Sequence, residues 1–170
     1  YCAIPLIKGD YAVVPPVEVL GQARAALDAG ARELVLVGED TSRYEAPGYG
    51  GLDRLLADVA ALGAAWVRLL YLQPDGIDAR LLETMARHTL PYVDVPLQHA
   101  SGRVLRAMGR RGDGAAYLEL LARVRAALPG ATVRSTFLVG FPGETESDVE
   151  ELVAFVEEAE LAVAGVFAFD

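Results

Sequence analysis

Cys2 is the only cysteine in the 170-residue chain. A single free thiol serves either as a small core hydrophobe or, when ionised, as a metal ligand or nucleophile. The remaining residues with chemistry in them lie within or just after short apolar runs. In "GED", Glu39 and Asp40 follow the run "RELVLV" (32–37). Carboxylates at such a place bind an ammonium or hydroxyl group, or simply cap a solvated turn. "VPLQHAS" holds Gln98, His99 and Ser101. Gln98 can donate and accept at once, which suits a ribose or an amide. His99 titrates near neutrality if it is free to do so and is otherwise structural. Ser101 reads most simply as a helix N-cap. In "VRSTFLVGFPGET", Arg134 and Thr136 share one strand face, because side chains alternate. A guanidinium on an inward face needs an anionic or hydrogen-bonding partner. The glycines of "GFPGE" let a ligand approach the backbone, or make an ordinary turn. Asp94, inside the apolar run "YVDVPL", also requires a partner.

The elements that must position these groups alternate along the chain. Pro15 and Pro16 open a helix that reaches about Ala29, with Gly30 as its stop. Leu52, Leu55, Leu56 and Val59 recur at helical spacing before Gly63. Asp78 caps a helix bearing Leu81, Leu82 and Met85; a short helix follows Ser101, and a longer one runs through Tyr117, Leu121 and Val124. Thr145 and Asp148 form a capping-box pair for a last helix. Between them lie the runs 32–37, 66–72, 92–97, 132–140 and 163–169. Continuous apolar strands predict burial on both faces and a parallel sheet, either doubly wound or closed toward a barrel. Both place ligands beyond the carboxyl ends of the strands. No glycine-rich dinucleotide fingerprint is present, which weakens the doubly wound option. The opening segment reads as a loop that itself follows a strand outside the chain.

Composition narrows the function classes. Hydrophobic residues make up 53% of the chain, ample for one core, and no apolar run approaches a membrane span. One cysteine excludes an intrachain disulfide framework and predicts a reducing, cytoplasmic setting. A formal net charge of -9 argues against this segment alone gripping nucleic acid.

Four stretches together, "YCAIPLIKGDY", "RLLYLQPDGI", "DVPLQHASGRVLRAMGRRG" and "RSTFLVGFPGETESDVEELV", resemble the radical S-adenosylmethionine methylthiotransferases. The resemblance runs over essentially the whole chain. It is closest to the branch that methylthiolates an aspartate of small-subunit ribosomal protein twelve. It implies a partial parallel (β/α) barrel truncated at both ends. It also implies two cofactors, a [4Fe–4S] cluster and S-adenosylmethionine. In that family three cysteines spaced C-x3-C-x2-C hold the cluster. Tyr1-Cys2 matches the end of that motif, so the resemblance makes Cys2 the third metal ligand and puts the first two upstream. The cluster reductively cleaves S-adenosylmethionine to a 5′-deoxyadenosyl radical, which abstracts the substrate hydrogen before sulfur delivery.

Position by position, the resemblance places Glu39 against the methionine amino group, and Gln98 and Arg134 against ribose and carboxylate. Val139 and Phe141 in the strand end 137–144 lie beside the adenine, and Tyr1, Ala3 and Ile4 line the nucleoside. Two further family domains are missing, an N-terminal sulfur-relaying one and a C-terminal β-barrel, so the segment alone is expected to be inactive. His99 and Ala100 after Gln98, and the strand end "YLQP", favour the ribosomal-protein branch. The alternatives are a tRNA adenosine methylthiotransferase of the same superfamily and a cluster-free nucleotide-binding (β/α) domain.

Overall fold

The computed structural model describes residues 4–170. Five long strands alternate with helices as the periodicity predicts: β1 (Glu33–Leu36), β4 (Trp66–Leu69), β5 (Tyr92–Asp94), β6 (Thr132–Val139) and β7 (Val163–Ala168). Two-residue arms, β2 (Glu45–Ala46) and β3 (Gly50–Gly51), add a small antiparallel hairpin that periodicity does not predict. The helices are α1 (Ile4–Lys8), α2 (Pro16–Asp28), α3 (Leu52–Ala60), α4 (Ala79–His88), α5 (Gly102–Ala107), α6 (Gly114–Ala127) and α7 (Glu146–Glu158).

All long-strand pairings are parallel. β1 pairs with β4, and β5, β6 and β7 follow in that order. The two groups are stitched together by Leu90 N donating to Val67 O and Leu72 N donating to Asp94 O, at 2.9 and 3.1 Å. The wall so formed is an open parallel (β/α) arrangement, and the described residues do not close it into a barrel.

The core lies between this wall and the helices. Leu55, Leu56 and Val59 of α3, Leu81, Leu82 and Met85 of α4, and Leu121 and Val124 of α6 are all buried against Val67, Val93 and Val133. Phe137 meets Phe155 edge-on with centroids 6.2 Å apart, and Phe155 meets Tyr117 at 6.4 Å. Such ring pairs add to the area they bury. Asp78 caps α4 by accepting from Leu81 N at 2.7 Å, as the sequence predicts.

Three expectations need correction. Burial on both faces does not hold along β1, β4 and β6, which bury one face, and no residue of β7 is buried. Along β6, Val133, Ser135 and Phe137 are buried, while Arg134, Thr136 and Leu138 on the opposite face are partly open. The open face holds charges in pairs: Arg68 Nε donates to Glu33 Oε1 at 2.7 Å with its guanidinium over the Tyr92 ring, and Arg134 Nη1 donates to Asp94 Oδ2 at 2.7 Å. The apolar Val35 and Phe167 on the open face disguised this alternation as a two-sided run.

The opening segment is not a loop throughout, since Ile4–Lys8 is a short helix. The third correction concerns 92–97. Regular pairing ends at Asp94, after which Val95 N donates to Arg134 O at 3.0 Å and Pro96 follows without an N–H. Leu97 N turns instead to the buried hydroxyl of Ser135 at 3.2 Å. The ladder resumes only at Gln98, whose N donates to Thr136 O and whose O accepts from Leu138 N, both at 2.8 Å.

Candidate functional site

The parallel order brings the carboxyl ends of all five strands to one edge. Glu39 stands three residues beyond β1. Its Oε1 is 3.6 Å from Nζ of Lys8, the last residue of α1, and both side chains are about half exposed or more (52% and 65%). At that exposure the ion pair contributes little, so Glu39 remains available to a ligand cation. It lines a broad open cleft between the segment after α1 and the end of β1, together with Tyr11, Arg43 and Gln73. Tyr11 fastens this segment: its hydroxyl donates to Asp40 O at 3.2 Å, and the Arg43 guanidinium lies 4.8 Å from its ring centre. Asp40 in turn accepts from the Ser42 hydroxyl at 2.5 Å.

Gln98 sits at the strand end where the sequence put it, in a left-handed conformation with φ 71°. A non-glycine residue there is uncommon and carries a local conformational cost. It is held by the two main-chain hydrogen bonds to β6 described above, which leave its amide side chain at the edge. Tyr71, just past β4, shares this geometry with φ 60°, and its carbonyl accepts from the hydroxyl and the N–H of Thr41. These left-handed positions are invisible to a period-counting reading, because neither residue is glycine.

Arg134 lies lower on β6 than the strand end. Its hydrogen bond to buried Asp94 pushes its pKa up, so it is a cation throughout the accessible range. Any ligand carboxylate would share that guanidinium with Asp94. Val139 ends β6, and its carbonyl accepts from Phe169 N at 2.8 Å. Phe141 packs edge-on against Phe169 with centroids 5.1 Å apart. Glu39 lines the cleft, whereas Gln98, Arg134, Val139 and Phe141 do not; Gln98, Val139 and Phe141 lie further along the strand-end edge, and Arg134 lies below it on β6. Ile4 opens α1, while Tyr1, Cys2 and Ala3 lie outside the described residues.

Behind the turn 140–144 is a polar network that the sequence predicts only in part. Glu144 accepts from Gly140 N at 3.0 Å and from Phe141 N at 3.4 Å. Asp148 accepts from Thr145 N at 2.9 Å, completing the predicted capping box. It also accepts from the Ser101 hydroxyl at 2.6 Å and from Arg103. Ser101 therefore does not cap α5 with its side chain; it reaches across to α7. The bonds from Ser101 and Thr145 hold the Asp148 carboxyl well below the usual carboxylate range. Arg103 also donates to Gly143 O at 2.9 Å.

Gly140 at φ 79° and Gly143 at φ 85° shape this turn, and its Gly140 and Phe141 amides are tied to the Glu144 carboxylate. The arrangement resembles known proteins in a specific way. The family model of the radical SAM superfamily matches residues 1–156. The chain belongs to the radical SAM superfamily.

Curated relatives share sequence along the length of this radical SAM chain. A ribosomal protein uS12 methylthiotransferase RimO from Desulforudis audaxviator is 48% identical over 174 residues, covering 99% of the chain and 39% of that relative. One from Moorella thermoacetica is 47% identical, covering 99% and 40%. The chain thus spans about two fifths of the length of the curated relatives it matches. Among solved structures, the radical S-adenosylmethionine methyltransferase TsrM from Kitasatospora setae superposes with a TM-score of 0.74 at 17% identity, covering 94% of this chain and 32% of that one. Coproporphyrinogen III oxidase (HemN) from Escherichia coli, a radical SAM enzyme, gives 0.68 at 16%, covering 91% and 36%. These two establish likeness of fold, in agreement with the open parallel wall.

The donor set of this radical SAM domain bears on what it can hold. Among the described residues no group of three or more His, Cys, Asp or Glu could bind a metal ion. One thiolate, Cys2, does not by itself fit a [4Fe–4S] cluster. The strand-end edge carries a half-exposed carboxylate at Glu39, the left-handed Gln98 and the glycine turn at 140–144. No helix among the described residues is long and apolar enough to cross a membrane.

Proposed function

We propose that the chain is the central part of an enzyme that adds a methylthio group to the β-carbon of an aspartate in small-subunit ribosomal protein twelve. The observation behind this reading is the identity of 38–48% across nearly all of the chain with relatives bearing that activity in their names. The sequence "QHA" at 98–100 agrees with it. Ribosomal protein uS12 is then the macromolecular partner, and the cytoplasm, where ribosomes are, is the site of action.

In this reading Cys2 is one of three thiolate ligands, the other two lying upstream together with an N-terminal domain, and a β-barrel domain lies downstream. The 170-residue segment alone is inactive. When bound, the cluster supplies the electron that breaks a sulfonium carbon–sulfur bond of S-adenosylmethionine. The residues of this chain orient that molecule: Glu39 meets its amino group, Gln98 and Arg134 its ribose and carboxylate, and Val139 and Phe141 its adenine, with Tyr1, Ala3 and Ile4 along the nucleoside. The deciding assay offers the full-length, cluster-loaded protein both ribosomes and tRNA. Methylthiolated uS12 is the expected product; methylthiolated tRNA adenosine instead would replace the ribosomal reading with its tRNA relative.

Glu39 gives a sharper test of the ligand's placement. A carboxylate–ammonium hydrogen bond is charge-assisted, but the exposure of Glu39 limits its strength. Glu39→Ala in the cluster-loaded protein should weaken S-adenosylmethionine binding about ten-fold. Its iron content should stay unchanged. Unaltered affinity in a titration would leave Glu39 as a turn residue only.

A further inference from the structure

His99 is wholly buried at 0% exposure, beside a surface-facing glycine turn, and the proposed chemistry gives it no part. Its Nδ1 accepts from Ser101 N at 2.9 Å, so Nδ1 has no proton. The proton of the neutral ring is then on Nε2. Nε2 faces Glu144 Oε2 at 3.5 Å, and it is the one buried side-chain nitrogen or oxygen among the described residues without a hydrogen-bond partner. Glu144 is itself 7% exposed, and its two oxygens already accept the Gly140 and Phe141 amides. A carboxylate oxygen accepts more than one donor. A shift of a few tenths of an ångström would bring the pair within the normal hydrogen-bond range.

We propose that His99, fixed as the Nε2–H tautomer, is the positioning residue that holds the turn 140–144 in shape through Glu144. The turn needs such a support. Gly140 and Gly143 both have positive φ, and glycines leave a turn many alternative conformations. Support from solvent would be of no use on the side where a ligand lies. His99 acts from the opposite, buried side, and it adjoins Gln98 in the chain, so one ring ties together two parts of the ligand-facing edge. The charged groups around the ring are Glu144, Asp148 and Glu151, which favour its protonation, and Arg103, which opposes it. Burial outweighs the carboxylates and lowers the pKa from 6.5, so the neutral ring persists. A doubly protonated ring would also turn Nδ1 from an acceptor into a donor facing the Ser101 N–H.

That this turn meets S-adenosylmethionine belongs to the function proposed above; the support of the turn by His99 can be tested without any ligand. The 170-residue chain, labelled with 15N in its imidazoles, is probed by two-bond proton–nitrogen correlation. The expected pattern, recorded at about pH 7, is a protonated Nε2 and a bare Nδ1. Hydrogen exchange at the Gly140 and Phe141 amides is then measured in two variants. In His99→Gln the amide nitrogen takes the place of Nε2 and keeps a donor toward Glu144. In His99→Asn the side chain reaches only the Nδ1 position and keeps the acceptor for Ser101. Protection should stay within about three-fold in His99→Gln and fall about ten-fold in His99→Asn.

A proton on Nδ1, or wild-type protection in His99→Asn, would overturn the proposal. If His99→Asn does not fold, the tautomer in the unsubstituted chain still decides. S-adenosylmethionine affinity of the cluster-loaded protein separates the two readings. Lost protection with unchanged affinity would uphold His99 as the support and remove the ligand from this turn.

Discussion

Anaerobic incubation of the 170-residue chain with iron and sulfide is expected to leave it without a stoichiometric [4Fe–4S] cluster. The chain has one cysteine, and among its described residues no other group of ligands could take over. Thiolates are the ordinary ligands of such clusters, and a single one cannot hold four irons against hydrolysis and oxidation. A longer protein with two upstream cysteines at the C-x3-C-x2-C spacing should assemble about one cluster per chain, read from iron and sulfide content and from the charge-transfer absorption. Cys2→Ser in that protein should abolish or severely reduce assembly, the largest effect expected of any single substitution here. A full, competent cluster in Cys2→Ser would remove Cys2 from the ligand set and with it the alignment of the whole opening motif.

The second large effect belongs to Asp148. One buried carboxylate closes the N-terminus of α7, takes the Ser101 hydroxyl from the α5 side and receives Arg103. Asp148→Ala removes a helix cap and strands the buried Ser101 hydroxyl at once. The cap accounts for about 1 kcal/mol and the lost buried partners for about 2 more, so stability should fall by about 3 kcal/mol. Denaturant unfolding of the chain and the variant measures this directly. Asp148→Asn keeps the shape but only one acceptor oxygen, and should fall between the two.

The same carboxyl predicts an acid limb. Its folded-state pKa lies below the ordinary 3.8, so its contribution is complete above that value and disappears as pH falls from about 4 through the folded pKa. Stability of Asp148→Ala should therefore depend less steeply on pH in that window than the parent's. Parallel slopes would mean that other carboxyls dominate acid unfolding.

Much of the architecture was legible from periodicity. The spacing of Leu52, Leu55, Leu56 and Val59 placed α3 and its buried stripe, and Thr145 with Asp148 marked the start of α7. Strand limits were less so. Pro96 interrupts β5 two residues after Asp94, yet the apolar run continues past it, and only the rejoining of Gln98 to β6 explains why the run exists. The inward face was misread because Val35 and Phe167 there are apolar, while Arg68 and Arg134 on the same face find their carboxylates on neighbouring strands.

At the candidate site, residue type just beyond an apolar run is what marks Glu39, Gln98 and the 140–144 turn as candidates. Two partnerships were not legible. His99 with Glu144 spans 45 positions and Ser101 with Asp148 spans 47, separations at which no local pattern operates. The capping-box signal at Asp148 was correct but incomplete, because a carboxylate has a second oxygen and the sequence does not say what it meets. The resemblance to a known family identified the cofactors; it was silent on what stiffens the turn.

The order of strands in the wall has a consequence for how the chain acquires its structure. Each long strand lies beside the one before it in sequence, from β1 through β7, with a helix between. No strand has to wait for a partner made much later. Contacts are therefore local in sequence for a parallel sheet, and loop-closure costs stay small at each step. Assembly can proceed in one direction, each βα unit docking on the unit already formed, at the pace at which residues leave the ribosome. A nascent chain arrested after α6 should already protect the β1–β4 amides. β7 is the last strand to dock on this wall, and its Val166 and Phe167 stay uncovered.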